Sequence, residues 1–233
     1  MLAFVLASAL ILAHQGGHGA ELKGAWQTTK EDGTIGTWIV SGDHFSIAWY
    51  RTNPNKFIAT EGGTWSLDHG PMKVTYEFDT ANPARVGTTV DVPVSGRGNV
   101  IGAHGVTWKR LDSGSPGALE GAWLMTGRVR DGKPSTRTPG ARRTMKILSG
   151  TRFQWIAYNV ETKEFFGSGG GTYGTQNGKY TENIDFFSRD DAKAGRSLEF
   201  QYDLVDGVWN HIGKSTAGEP MHEIWDRRTK LGI

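Results

Sequence analysis

Residues able to hold or act on a small molecule lie on short segments of alternating character. Over 180–186, Tyr180, Glu182, Ile184 and Phe186 share one strand face, and over 208–212, Trp209 and His211 share one. A face mixing aromatic residues with one carboxylate or one imidazole suits a cavity wall whose polar group fixes a ligand's orientation. If both faces point into one interior, Glu182 and His211 form an acid–base pair, with the carboxylate as base and the histidine, titrating near neutrality, as acid. Tyr173 and Gln154 are then the groups that orient a substrate. Residues 152–158 put Phe153, Trp155 and Ala157 on one face and Gln154, Ile156 and Tyr158 on the other. Trp155, Trp209 and Trp49 offer aromatic walls for flat apolar ligands or sugar rings. The ligand-binding set is therefore Trp155, Gln154, Tyr173, Glu182, Trp209, His211 and Trp49. The competing reading has the two polar residues solvated or hydrogen-bonded and the tryptophans simply packed.

Other patterns fail on context. Gly169-x-Gly171-x-x-Gly174 matches the dinucleotide fingerprint by letter. That fingerprint needs a following helix whose amides meet the pyrophosphate, whereas another strand segment follows here. A strand bent by a glycine bulge is the better reading. His222–Glu223 is followed by Asp226 and lacks the second histidine of a zinc protease. The chain has no cysteine, hence no thiol nucleophile and no disulfide. Neither a metal nor a cofactor is expected.

The elements that must position these residues come in two sets. Leu22-x-Gly24-Ala25-Trp26 returns as Leu119-x-Gly121-Ala122-Trp123, and residues 39–80 align without a gap with residues 147–188. Ile39, Ser41, Gly42, Phe45, Tyr50, Phe57, Gly62, Gly63, Thr64, Gly70 and Phe78 each recur 108 positions later, and Trp108 matches Trp225. Each set is about the length of one domain. Period-2 segments near 121–128, 143–149, 152–158, 164–173, 179–188, 197–205, 207–213 and 221–228 are separated by hairpin dipeptides such as Ser149–Gly150, Asn177–Gly178 and Asp206–Gly207. No stretch sustains a helical period. The expected fold is all-β: two tandem small up-and-down eight-stranded β-barrels over 21–112 and 119–229, joined by a linker at 113–118. Closure removes exposed edges, and eight strands leave room for core side chains or one small ligand. Paired β-sandwiches are the alternative.

Arg152-Phe-Gln-Trp-Ile-Ala, Gly169-Gly-Gly-Thr-Tyr173 and the run from Lys179-Tyr-Thr-Glu182 to Phe186-Phe-Ser188 resemble the lipocalin-like (calycin-like) domains of unknown function in exported Bacteroidetes proteins, often labelled "membrane or secreted protein". The resemblance covers most of the second set and is weaker in the first, where Glu61-Gly-Gly-Thr-Trp65 stands in. It implies a barrel and export and brings no catalytic residues with it.

Residues 1–13 are apolar apart from Ser8, too short a run to span a bilayer, and small residues follow at Gly17–Ala20. Residues 1–20 read as a signal peptide and the protein as periplasmic or secreted, with no stable membrane insertion of the mature chain. A net charge of +2 gives no reason to expect nucleic-acid binding. Within that balance, Arg128, Arg130, Lys133, Arg137, Arg142 and Arg143 face Asp131 alone, in a segment the first set lacks. A basic loop at a barrel mouth, with Arg137, Arg142 and Arg143 foremost, would attract an anionic ligand. A solvated connector is the alternative. The reading that ranks first is therefore a protein that binds a small apolar, aromatic or sugar-like molecule, anionic if the basic loop recruits it, mainly in the second barrel. A barrel-based isomerase or hydrolase using Glu182 and His211 ranks second, and a solidly packed interaction module third.

Overall fold

The computed structural model describes residues 21–233 apart from His69, Pro116 and Thr216, so residues 1–20, expected from the sequence to be a signal peptide, lie outside the described residues. Almost every element is a strand, as the alternation requires. The first sheet holds β1 (Gly24–Thr29), β2 (Ile35–Ser41), β3 (His44–Thr52), β4 (Asn55–Ser66), β5 (Met72–Asp79), β6 (Thr89–Val92), β7 (Ser95–Arg97), β8 (Val100–Ala103) and β9 (Val106–Asp112). The second holds β10 (Gly121–Arg130), β11 (Lys133–Thr136), β12 (Arg142–Leu148), β13 (Arg152–Asn159), β14 (Phe165–Gln176), β15 (Lys179–Phe187), β16 (Ser197–Val205), β17 (Val208–Lys214) and β18 (Pro220–Arg227), followed by a single turn of helix, α1 (Arg228–Leu231). No helix among the described residues is long and apolar enough to cross a membrane.

In the second sheet β10 pairs with both β12 and β18, closing an antiparallel barrel of eight strands. The ninth strand, β11, folds back on β10 through Asp131–Gly132, both at positive φ, the twist that a two-residue hairpin needs. The basic segment expected to be a loop is thus partly a hairpin.

The first sheet curls the same way but stays split, with β6 and β7 as its two edges, joined only by Pro93 and Val94. Residues 108 further on run unbroken as β16, where Gln201 at the position of Pro93 pairs with both Lys179 and Ile212. Proline has no N–H to give a ladder, so the strand divides there. That is why the first unit departs from the expected closed barrel.

Outward faces of the two units pack on each other. Ile39 and Phe78 from the first meet Leu124, Met145, Ile147, Ile156 and Tyr158 from the second in one buried cluster. Contacts across this seam are exchanged between positions 108 apart. Tyr158 Oη donates to Glu77 at 2.5 Å, and Tyr50 Oη to Asp185 at 3.5 Å. The Phe78–Tyr158 and Tyr50–Phe186 ring pairs both have centroids 5.0 Å apart. Reciprocal exchange of this kind is the pattern of a two-fold interface. One end is locked further by Arg228, which puts both nitrogens 2.7 Å from the Glu77 oxygens. Burial alone would raise Glu77, but Arg228 brings it down to about 2.

Candidate functional site

Strand alternation sends one residue in two into the second barrel. On β12 these are Arg142, Thr144 and Lys146; on β13, Trp155 and Ala157; on β15, Glu182; on β17, His211; on β18, Met221, Glu223 and Trp225. They enclose a cavity of about 370 Å³, together with Arg128, Phe187, Arg189, Leu198, Phe200 and Ser215. Glu182 and His211, on strands two apart in the sheet, therefore share one interior.

Two residues join them that the sequence reading did not single out. Lys146 Nζ donates to Glu182 Oε1 at 2.7 Å and lies 3.4 Å from His211 Nδ1. Glu223 Oε2 lies 3.6 Å from the same Nδ1, and Arg128 reaches Glu223 at 3.4 Å. Lys146 and Glu182 are each 4% exposed and His211 1%, so this ionic floor is buried. Four rings, Tyr180, Phe200, Trp209 and Trp225, surround the Lys146 ammonium at 5.1 to 5.8 Å from their centroids.

Burial, reinforced by the charge of Lys146, pulls His211 down to about 4. Burial pushes Glu223 up, but its hydrogen bond with His211 and the charge of Lys146 leave it net below the ordinary glutamate range. His211 is neutral near pH 7 and has no proton to give as an imidazolium, and the Glu182 carboxylate is already neutralised by Lys146.

The first unit supplies a control for this chemistry. Counting 108 positions back, Lys146 corresponds to Trp38, Glu182 to Val74 and His211 to Ala103; Glu223 corresponds to Val106 through the Trp108–Trp225 match. The register agrees, since Trp38 pairs with Ile47 as Lys146 does with Trp155, and Ala103 pairs with Val106 as His211 does with Glu223. All four counterparts pack in the apolar core of the first unit. Taking charges out of water costs several kcal/mol per ion, and the same architecture stands without them.

The space differs too. Trp49, at the position of Ala157, packs against Trp108 at 5.7 Å. It also lies over Gly36, where a Cβ would come within 2.6 Å of the indole. Gly36 corresponds to Thr144 and Trp49 to Ala157, so the first interior is filled where the second is hollow. Trp49 is thus a plug rather than a cavity wall. The first unit nevertheless has a wide, open pocket of about 1440 Å³, lined in part by Glu61, Tyr76, Arg85, Ala103, His104 and Val106, of which Ala103 and Val106 stand where His211 and Glu223 line the second cavity.

Three more expected site residues sit elsewhere. Gln154 alternates with Trp155 and so faces away from the cavity; its Nε2 bridges Thr60 at 2.7 Å and Ser168 at 2.9 Å in the seam. Tyr173 faces inward but outside the cavity lining, its hydroxyl donating to Ser149 O at 2.6 Å. Trp209 is fully buried beneath the floor, against Trp123, His211 and Trp225. Trp155 does line the cavity, with its indole packed on Phe187; Gly169 has no Cβ because one would lie 2.7 Å from Trp155 Nε1. The glycine run is a bulged strand, with the register shift between Gly170 and Gly171.

The mouth is basic. Arg128 and Arg142 line both the cavity and an adjoining depression of about 450 Å³ that also takes in Arg130, Arg137, Ser135 and Thr136. Arg189 lines the cavity as well, its Nε donating to Phe166 O at 2.8 Å. Arg143 is the exception among the expected anion-attracting residues. It faces the seam and is spent on Glu77 at 2.8 Å.

Of the missed residues, Lys146 carried a sequence signal: a charge at a core position where the aligned set has tryptophan. Glu223 carried a weaker one, a charge where the first set has Val106, reached only through the shifted Trp108–Trp225 match. No protein-family model matches the chain, and no curated protein matches it.

Proposed function

We propose that the chain is an exported, lipocalin-like binding protein whose second barrel takes one small organic ligand, with its apolar or aromatic body against Trp155, Phe187, Phe200 and Trp225. One observation carries this reading. Within a single chain, matching positions of the same β architecture carry Trp38, Val74, Ala103 and Val106 in one unit and Lys146, Glu182, His211 and Glu223 in the other, where they form a buried ionic floor under a cavity walled by aromatics. Since the fold does not need the floor, the floor serves the cavity, where fixed polar groups orient a ligand. Export rests on the apolar run at residues 1–13, and the family resemblance on the Gly169–Tyr173 and Lys179–Ser188 segments. Binding is preferred to catalysis because Glu182 is held by Lys146 and His211 is held neutral.

The test transplants the plug. Thr144→Gly with Ala157→Trp recreates in the second barrel the pair that fills the first. Full-length wild-type protein should be stabilised in thermal-shift measurements by members of a broad panel of small apolar, aromatic and glycan compounds, and the double variant by none of them. No stabilisation of the wild type, or equal stabilisation of the filled variant, would contradict the reading.

A further inference from the structure

The geometry points to a two-part site in the second barrel, selective for an amphipathic organic anion: apolar body in the cavity, carboxylate, sulfate or phosphate group in the arginine-lined depression at the mouth. This inference rests on the binding reading above and adds the charge of the ligand and where that charge sits.

The cavity and the depression share Arg128, Arg142 and Thr144, so a molecule of modest length can occupy both. Inside, the charges cancel. Lys146 is paired with Glu182, Arg128 with Glu223, and His211 is neutral. A second charge placed there would find no partner and would pay its desolvation in full. At the mouth they do not cancel. Arg130, Arg137, Arg142 and Arg189 have no ion-pair partner among the described residues, while the hydroxyls of Ser135, Thr136 and Thr144 stand among or beside them. Arg142 is also steadied, its guanidinium 4.5 Å from the Phe166 ring centroid. Guanidinium groups match the paired oxygens of a carboxylate or phosphate. The hairpin that carries Arg130 and frames the depression has no counterpart in the first unit, where Trp38, Val74, Ala103 and Val106 stand at the positions of the ionic floor. The ionic floor and the basic hairpin occur together in one unit and are both missing from the other.

The ligand's uncharged portion could be flat or linear, so the probes are two matched pairs: 2-naphthoate against 2-naphthamide, and decanoate against decanamide. Each pair keeps the body and removes the charge. Titration calorimetry on the full-length protein should show at least one carboxylate binding about tenfold or more tightly than its amide at low salt. That gap should shrink as ionic strength is raised from about 50 to about 500 mM, where the screening length falls to a few ångströms. Arg130→Gln with Arg137→Gln, both outside the cavity lining, should close the gap while leaving amide affinity unchanged. Equal affinity of acid and amide in the wild type, or a gap that survives the double variant, would overturn the inference. Amide binding abolished by Thr144→Gly/Ala157→Trp without any acid preference would leave the cavity reading standing and this one refuted. No binding of either pair would refute this inference, while the cavity reading would stand or fall on the wider panel.

Discussion

Lys146 and Glu182 make the sharpest case at the scale of single residues. Each is buried, and each neutralises the other at 2.7 Å. Removing one partner leaves an uncompensated charge in the interior, whereas removing both returns the position to the chemistry that the first unit uses, Trp38 and Val74. Lys146→Met alone should therefore destabilise the protein by about 3–5 kcal/mol, while Lys146→Met with Glu182→Leu should be neutral or stabilising by about 1–4 kcal/mol. Urea unfolding of the two variants checks this. A double variant as unstable as the single one would mean that the pair is a structural requirement of the barrel rather than a feature maintained for its cavity. Strand alternation alone located Glu182, His211 and Trp155 on inward faces. It could not show that Glu182 would be neutralised by a lysine from a distant strand, because cross-barrel partners depend on closure and strand tilt rather than on local pattern.

At the scale of elements, most strands were legible because each couples a period-2 run to a turn dipeptide. Asn177–Gly178 and Asp206–Gly207 both adopt the positive φ values that a tight hairpin demands. The exceptions have physical causes. β11 is four exposed residues without apolar alternation, and only the Asp131–Gly132 turn announces it. The division between β6 and β7 turns on one missing N–H at Pro93. Gln154 shows a different limit: its neighbour Trp155 lines the cavity, so the pleat alone sends it out. What it meets there, Thr60 and Ser168 across the seam, depends on how the two units pack.

The whole molecule buries histidines in both units, and this sets its response to acid. His44, His104 and His211 are each pulled down to about 4, chiefly by burial. In the unfolded chain they titrate near 6.5, so as pH falls below that value the unfolded state takes up protons that the folded state refuses. The stability held in neutral histidines is complete above about pH 6.5 and is lost progressively down to about pH 4, by on the order of 1–3 kcal/mol for each. Glu77 behaves differently. Its lowered value near 2 makes its pairing with Arg228 dependent on pH only below the ordinary glutamate range. Denaturant midpoints should fall steadily between pH 6.5 and 4.5, and a flat profile over that interval would show that the histidines are solvated.

Two units of one fold in one chain invite the expectation of two equivalent binding sites, and the first unit argues against it by carrying Trp49 at the position of Ala157 and apolar residues at the positions of the ionic floor. The measurement that tests this most directly is the stoichiometry of a tight-binding ligand on full-length protein, read by titration calorimetry together with native mass spectrometry. One molecule per chain in the wild type and none in Thr144→Gly/Ala157→Trp is the predicted result. Two molecules per chain, or one that persists in the filled variant, would contradict the account.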